Sequence, residues 1–202
     1  RDYLIHQVGK QRIDIRLNTP ATPELIEQGA YDAVLIAVGG HNIVPNIPGL
    51  KENGFLFATD VLEHPELAKG KSVIIGGGEI GTECGMWLAK QGKDAFVIEM
   101  DRLIAKTVPP IHYRSSMRAA WEALPKFQFT TQSTVLRVEE GRIVYQKDGE
   151  EYEETFDTLI LAAGMEPNTE EAFALSAAAG RSELIGDCLE MGNLLMANKT
   201  AY

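Results

Sequence analysis

The hydrophobic positions along this chain change their period several times, and each change marks an element. Residues 13–17 alternate apolar and charged side chains, the two-residue period of an edge strand, and residues 22–28 open with Thr-Pro-Glu, the start of a short helix. An apolar run at 32–38, closed by Gly39-Gly40, predicts a strand covered on both faces, as in a parallel sheet. Asn46-Ile47-Pro48-Gly49 reads as a turn or linker into a mixed segment that lasts to Gly70. The clearest unit follows: 72–75 as a buried strand, 79–91 as a helix capped by Gly92, and 95–99 as a second strand, together βαβ. Residues 113–124 have helical spacing, with Met117, Ala120, Trp121 and Leu124 on one face. The period then becomes two. Residues 134–139, 143–147 and 152–156, joined by Glu140-Gly141 and Asp148-Gly149, predict a small antiparallel meander. It leads into a last apolar run, 158–163, that ends in Gly164 ahead of Pro167-Asn168. The whole pattern predicts an α/β fold, a Rossmann-like parallel sheet plus an antiparallel meander.

Composition narrows the functions this fold can serve. With 202 residues, 45% of them hydrophobic, the chain buries a core sufficient for one domain or two small ones. A formal charge of −10 opposes nucleic acid as a partner, because a surface that neutralises phosphates needs clustered Lys and Arg. The two cysteines, Cys84 and Cys188, lie 104 positions apart and form no C-x-x-C pair, which fits a reducing, cytoplasmic setting. No apolar run approaches the roughly 18 residues of a membrane helix, and Arg1-Asp2-Tyr3 does not resemble a signal peptide. His6, His41, His64 and His112 show no i, i+4 pairing, so no metal site is expected. The Glu150-Glu151 and Glu153-Glu154 pairs read as a solvated strand edge that discourages edge pairing. Arg in place of an initial Met, and no Gly or Pro stop after Gly192, suggest a fragment.

The chemistry concentrates in Gly76-Gly77-Gly78-Glu79-Ile80-Gly81, which satisfies G-x-G-x-x-G between a strand and a helix. Gly76 makes the tight turn, Gly78 lets the backbone approach a pyrophosphate, and Gly81 lets the helix pack on the strand. The backbone N–H groups at Glu79 and Ile80, with the positive end of the helix dipole, face the phosphates. Glu99 closes the second strand 23 positions after Gly76. A carboxylate there accepts hydrogen bonds from adenosine ribose hydroxyls and repels a 2′-phosphate, which favours NAD(H) over NADP. The alternatives are that Glu99 is a solvated strand end and that Arg102 receives a phosphate. An internal echo flanks this unit: residues 31–39 and 156–164 share a plan of aromatic, Asp, apolar strand, Ala, one further residue and Gly, offset by 125. Strands ending this way bring bare backbone, at Gly39 and Gly164, to the carboxyl edge where open α/β sheets bind ligands.

A Gly-rich βαβ between two Ala-x-Gly strands, followed by Ile185-Gly186-Asp187-Cys188, resembles the pyridine nucleotide–disulfide oxidoreductases over nearly the whole chain. The resemblance implies an NAD(P)-binding domain at 70–166, inserted in a partial FAD-binding domain at 1–69 and 167–202. It implies that Asp187 contacts the ribityl chain of FAD, although an Asp there can also cap the following helix. Glu83 extends the fingerprint to G-x-G-x-x-G-x-E, and the resemblance places it near the nicotinamide; early in a helix an acid is favoured by the dipole in any case. Residues 55–62 and 185–192 look most like the C-terminal third of the 2-enoate and 2,4-dienoyl-CoA reductases related to old yellow enzyme. The implied route runs from NADH to FAD, then through an iron–sulfur cluster and FMN in domains not in this chain, to an activated double bond. The implied partners are the nicotinamide nucleotide and the rest of the polypeptide, and the chain alone is expected to be inactive. Two alternatives stay open: an ADP-holding structural module like that of trimethylamine dehydrogenase relatives, and the NADH domain of a disulfide reductase or NADH oxidase.

Overall fold

The structure is a computed structural model that describes residues 2–108 and 113–201; Arg1 and His112, one of the four histidines from which no metal site is expected, lie outside the described residues. Its Cα positions separate into two compact units, one of residues 41–166 and one of residues 1–40 with 167–202. The chain begins with α1 (Asp2–Gly9), α2 (Pro23–Gly29), β1 (Val34–Ile36) and β2 (Gly40–Asn42). It continues through α3 (Leu50–Asn53), β3 (Leu56–Phe57), α4 (Ala58–Glu63), β4 (Ser72–Ile75), α5 (Glu79–Lys90) and β5 (Ala95–Ile98). Then come α6 (Tyr113–Glu122), β6 (Phe127–Thr130), β7 (Ser133–Glu139), β8 (Arg142–Lys147), β9 (Glu150–Thr155) and β10 (Thr158–Leu161). The last elements are β11 (Met165–Pro167), α7 (Thr169–Ala177), β12 (Ser182–Leu184) and α8 (Leu194–Thr200).

The larger unit has three layers. Its centre is a parallel sheet in the order β3-β10-β4-β5-β6, with β4 in the middle. Both β4 and β10 are buried at every position, as expected of strands covered on both faces. Alternate side chains explain how: Ile74, Val97 and Ile160 pack under α4, α5 and α6 with Leu88 and Met117, whereas Val73, Ile75, Leu159 and Leu161 pack against Val138, Ile143 and Tyr145. Those last three belong to the predicted meander, the antiparallel sheet β7-β8-β9. Its second turn places Asp148 at φ 52° and Gly149 at φ 85°, the left-handed pair that a two-residue hairpin loop demands. The sheet also takes in β3 and β6. Both are short, and the Phe-Gln-Phe-Thr alternation of β6 is too brief to stand out from the loop before it.

In the smaller unit β1 and β12 pair in parallel, and Ile26, Ile36, Ala172, Leu175 and Cys188 form a compact core. The helix predicted at 22–28 is α2; Thr22 caps it by accepting a hydrogen bond from Leu25 N, with Pro23 in the first turn. Two expectations need correction here. Residues 13–17 form no strand, and Ile13, Ile15 and Leu17 are exposed. Alternation makes a strand only where a neighbour supplies ladder hydrogen bonds, and none of the described residues does so there. The run at 32–38 gives a strand of only three residues covered on one face, since Ile36 is buried while Leu35 is 69% exposed.

Ile160 is fully buried between two neighbouring strands and the helical layer. Ile160→Ala is expected to lower the unfolding free energy by about 2–5 kcal/mol in a urea titration, and a loss below about 1 kcal/mol would show that the helical layer does not cover that face.

Candidate functional site

Registers across the sheet bring the carboxyl ends of three strands level. Leu161 pairs with Ile75 and Ile75 with Ile98, so Ala162, Gly76 and Glu99 emerge side by side. Ala162 N donates to Ile75 O at 2.8 Å and Gly76 N to Ile98 O at 2.9 Å, which carries the ladder one step past the strands. The fingerprint glycines then answer to distinct constraints. Gly76 has φ +102°, and a Cβ on it would stand 2.3 Å from the carbonyl oxygen of Ala162. A Cβ on Gly81 would stand 2.0 Å from the carbonyl oxygen of Gly76, so α5 lies against its own turn more closely than any side chain allows. Gly78 is the opposite case. A Cβ there would meet nothing within 4 Å, and this open face is what backbone needs if a ligand is to reach it. No side chain caps α5, whose first backbone bond is Thr82 N to Gly78 O at 3.0 Å, so the N–H groups of its first turn have no helical partner.

Glu99 is not a solvated strand end. It is 8% exposed, and each carboxylate oxygen takes a backbone donor: Oε2 from Gly77 N, and Oε1 from Asp101 N at 2.6 Å. The carbonyl of Gly77 is held as well, by Ala105 N at 2.7 Å and the Thr82 hydroxyl at 3.0 Å. The middle residue of the fingerprint turn is therefore fixed through both backbone polar groups. A carboxylate has lone pairs beyond those two, so Glu99 keeps the capacity to accept ribose hydroxyls.

Over these strand ends lies an apolar cleft of about 470 Å³, lined by Gly76, Gly78, Ile75, Ile98, Glu99, Met100 and Asp101. Its other walls are Ile43, Pro45 and Ile47, the stretch Ser133-Thr134-Val135 that opens the meander, and Ala162-Ala163-Gly164. Of the sequence-predicted residues, Gly76, Gly78, Glu99 and Gly164 thus meet in one cleft. The wall residues from 43–47 and 133–135 carry no motif and escaped the sequence reading. Glu79 is exposed at the start of α5, while Ile80 packs partly into the core. Glu83 opens into a second cleft of about 390 Å³ with Leu62, Met86, Trp87, Lys90, Tyr113, Ser116 and Met117. It accepts a hydrogen bond from the Tyr113 hydroxyl at 2.9 Å, and that bond, with the carboxylate charge, pushes the Tyr113 pKa up.

Gly39 and Asp187 belong to the smaller unit, each just beyond the carboxyl end of one strand of the β1–β12 pair. Gly39 has φ +70°, and Ile185 N donates to Ile36 O at 2.9 Å, which sets the Gly186-Asp187 turn beside the end of β1. The capping role considered for Asp187 is not found. Asn193 caps α8, accepting from Leu195 N and Met196 N, while Asp187 accepts from Gly192 N at 3.3 Å, too early in the chain to reach the helix. Cys84 lies on the buried face of α5, and burial pushes its thiol up to about 12.

Two measurements follow. Glu99→Gln sets an amide N–H against one of the two backbone donors; it should lower stability by about 1–3 kcal/mol and speed amide hydrogen exchange at Gly77 and Asp101, and unchanged exchange at both would contradict the tie. The thiolate is the reactive form, and burial, which raises the pKa of Cys84, keeps that form scarce at pH 8. Cys84 should therefore resist alkylation until the chain is unfolded, and stoichiometric labelling of the native chain would refute its burial.

Comparison with known proteins agrees with this geometry. The family model described as pyridine nucleotide-disulphide oxidoreductase matches residues 7–185. A bilirubin reductase of Mediterraneibacter gnavus is 31% identical over 192 residues, covering 93% of this chain and 29% of its own length. A cinnamate reductase of Clostridium sporogenes is 28% identical, covering 94% of this chain and 28% of its own length. The solved structure of a 2-naphthoyl-CoA reductase complex superposes with a TM-score of 0.88 at 28% identity, over 96% of this chain and 30% of that one. The chain thus spans less than a third of the length of these two curated relatives. The resemblance to the reductase branch related to old yellow enzyme stands, as does the pairing of NAD(H) with a flavin that goes with it. By the family model and by the turn that carries it, this chain belongs to the pyridine nucleotide-disulphide oxidoreductase family.

Proposed function

We propose that the unit of residues 41–166 docks NADH and presents its nicotinamide to FAD, in a reductase that acts on an enoate- or dienoyl-type double bond. The observation that carries this reading is the convergence of the open Gly78 backbone, the unpaired first turn of α5 and the Ala162-Ala163-Gly164 strand end around one apolar cleft. A pyrophosphate fits there because backbone donors and the helix dipole supply positive potential where no side chain intrudes. Gly76, Gly78 and Gly81 are read as shaping the cradle, and the N–H groups at Glu79 and Ile80, in the uncapped first turn of α5, as its donors. Glu99 takes the adenosine ribose and Gly164 lets the ligand lie against bare backbone; Glu83, which opens into the second cleft beside Tyr113, is read as lying near the nicotinamide end.

A bound dihydronicotinamide supplies a hydride; the residues of this chain bind, orient and exclude water, and none need act as acid, base or nucleophile. The segments 1–40 and 167–202, the part of the expected flavin-binding domain (1–69 with 167–202) that falls in the smaller unit, are read as belonging to it, with Gly39 and Asp187 turned to the flavin. FMN, an iron–sulfur cluster and the substrate site belong to other parts of the protein. The double-bond substrate class is supported by relatives named for reducing bilirubin, cinnamate and 2-naphthoyl-CoA. A thiol as inaccessible as Cys84 supports no disulfide chemistry within this unit.

Calorimetric titration of the chain with NADH and with ADP tests the reading. NADH is expected to bind more tightly than ADP, with Gly78→Val weakening both. ADP binding as tightly as NADH would overturn the hydride-donor role and leave a structural nucleotide module.

A further inference from the structure

The cleft of about 390 Å³ in the helical layer joins two helices through one hydrogen bond. Glu83, Met86 and Lys90 reach it from one face of α5, at positions i, i+3 and i+7, and Tyr113 and Met117 reach it from one face of α6, at i and i+4. Met86 and Met117 are buried in the core beneath, so the walls of the cleft are fixed and mostly apolar. Met117 also anchors the α6 face on which Tyr113 stands one turn earlier.

In this apolar setting Glu83 is held from one side only. One carboxylate oxygen, Oε1, accepts from the Tyr113 hydroxyl at 2.9 Å, and Oε2 has no partner among the described residues. Lys90, the other charge lining the cleft, stands seven positions on, about 10 Å along the helix axis, and forms no ion pair with Glu83. The bond to Glu83 and the carboxylate charge raise the Tyr113 pKa, and burial and the charge of Glu79 act in the same direction, so the phenol stays a donor at neutral pH. Glu79 opens α5, and its influence on Tyr113 sets the hydroxyl toward the end of the helix where the fingerprint turn lies. A glutamate has three torsions to order whenever it meets a ligand, and a donor fixed on a neighbouring helix orders them beforehand. An ionised carboxylate only accepts, so its remaining oxygen suits the N–H of a primary amide.

We propose that Tyr113 is a positioning residue for the nicotinamide end of the nucleotide: its hydroxyl holds Glu83 with the second carboxylate oxygen ready for the carboxamide N–H. This rests on the nucleotide reading above. The test titrates the chain calorimetrically with NADH and with ADP-ribose, which lacks the nicotinamide, as wild type, Tyr113→Phe, Glu83→Ala and the double variant. Phe keeps the ring, and Tyr113 is 49% exposed, so the fold is not at stake. Tyr113→Phe is expected to weaken NADH about three- to tenfold, the size of one side chain ordered anew on binding, while ADP-ribose stays within about twofold. Because Tyr113 acts through Glu83, adding Tyr113→Phe to Glu83→Ala should change NADH affinity by less than about twofold. Three results would each overturn the positioning role: equal weakening of both ligands, an undiminished loss in the Glu83→Ala background, or a Tyr113→Phe chain that binds NADH as wild type does. In all three, a wild type that prefers NADH to ADP-ribose leaves the nucleotide reading standing. If wild type binds NADH no more tightly than ADP-ribose, the hydride-donor reading falls and the role of Tyr113 falls with it.

Discussion

The carboxylate of Glu99 ties the end of one strand to the turn that ends its neighbour. By accepting from Gly77 N and Asp101 N, it holds in place the only stretch of backbone that separates β4 from α5. That turn is already compressed: Gly81 sits against the carbonyl of Gly76, and Gly76 against the carbonyl of Ala162. Such closeness survives only because the strands beneath are buried on both faces and their registers are locked. The cleft above the strand ends, with its open Gly78 face, is a consequence of that rigidity.

Layering supplies the remaining constraint. One face of the sheet is closed by α4, α5 and α6, the other by the meander, and the meander does more than cover. Its first residues, Ser133 to Val135, form a wall of the cleft, and Ser133 N donates to Glu99 O at 2.9 Å. A single ordered edge thus joins strand, turn and meander, which is where ligands of open α/β sheets are bound.

Much of this was legible in the sequence, for identifiable reasons. The limits of β4 coincide with the apolar run at 72–75, because buried parallel strands leave no polar position to blur the pattern. The glycines announced the turn, since no other residue satisfies three steric constraints at that spacing. Glu99 was found as a residue, but its inward-facing bonds were not, because a carboxylate at a strand end reads the same whether it faces solvent or backbone. The walls at 43–47 and 133–135 were invisible for another reason: they are ordinary residues brought together by topology. Residues 13–17 misled because alternation records a tendency, and a ladder requires a partner.

The central claim is that the fingerprint turn, held by Glu99, is the cradle for a nucleotide pyrophosphate. Backbone amide chemical shifts recorded while NADH is added to the isotopically labelled chain test it most directly. The largest saturable changes should fall at Gly78, Glu79 and Ile80 and at Gly164, the two sides of one cleft. Saturable changes elsewhere that leave these amides unmoved would contradict it.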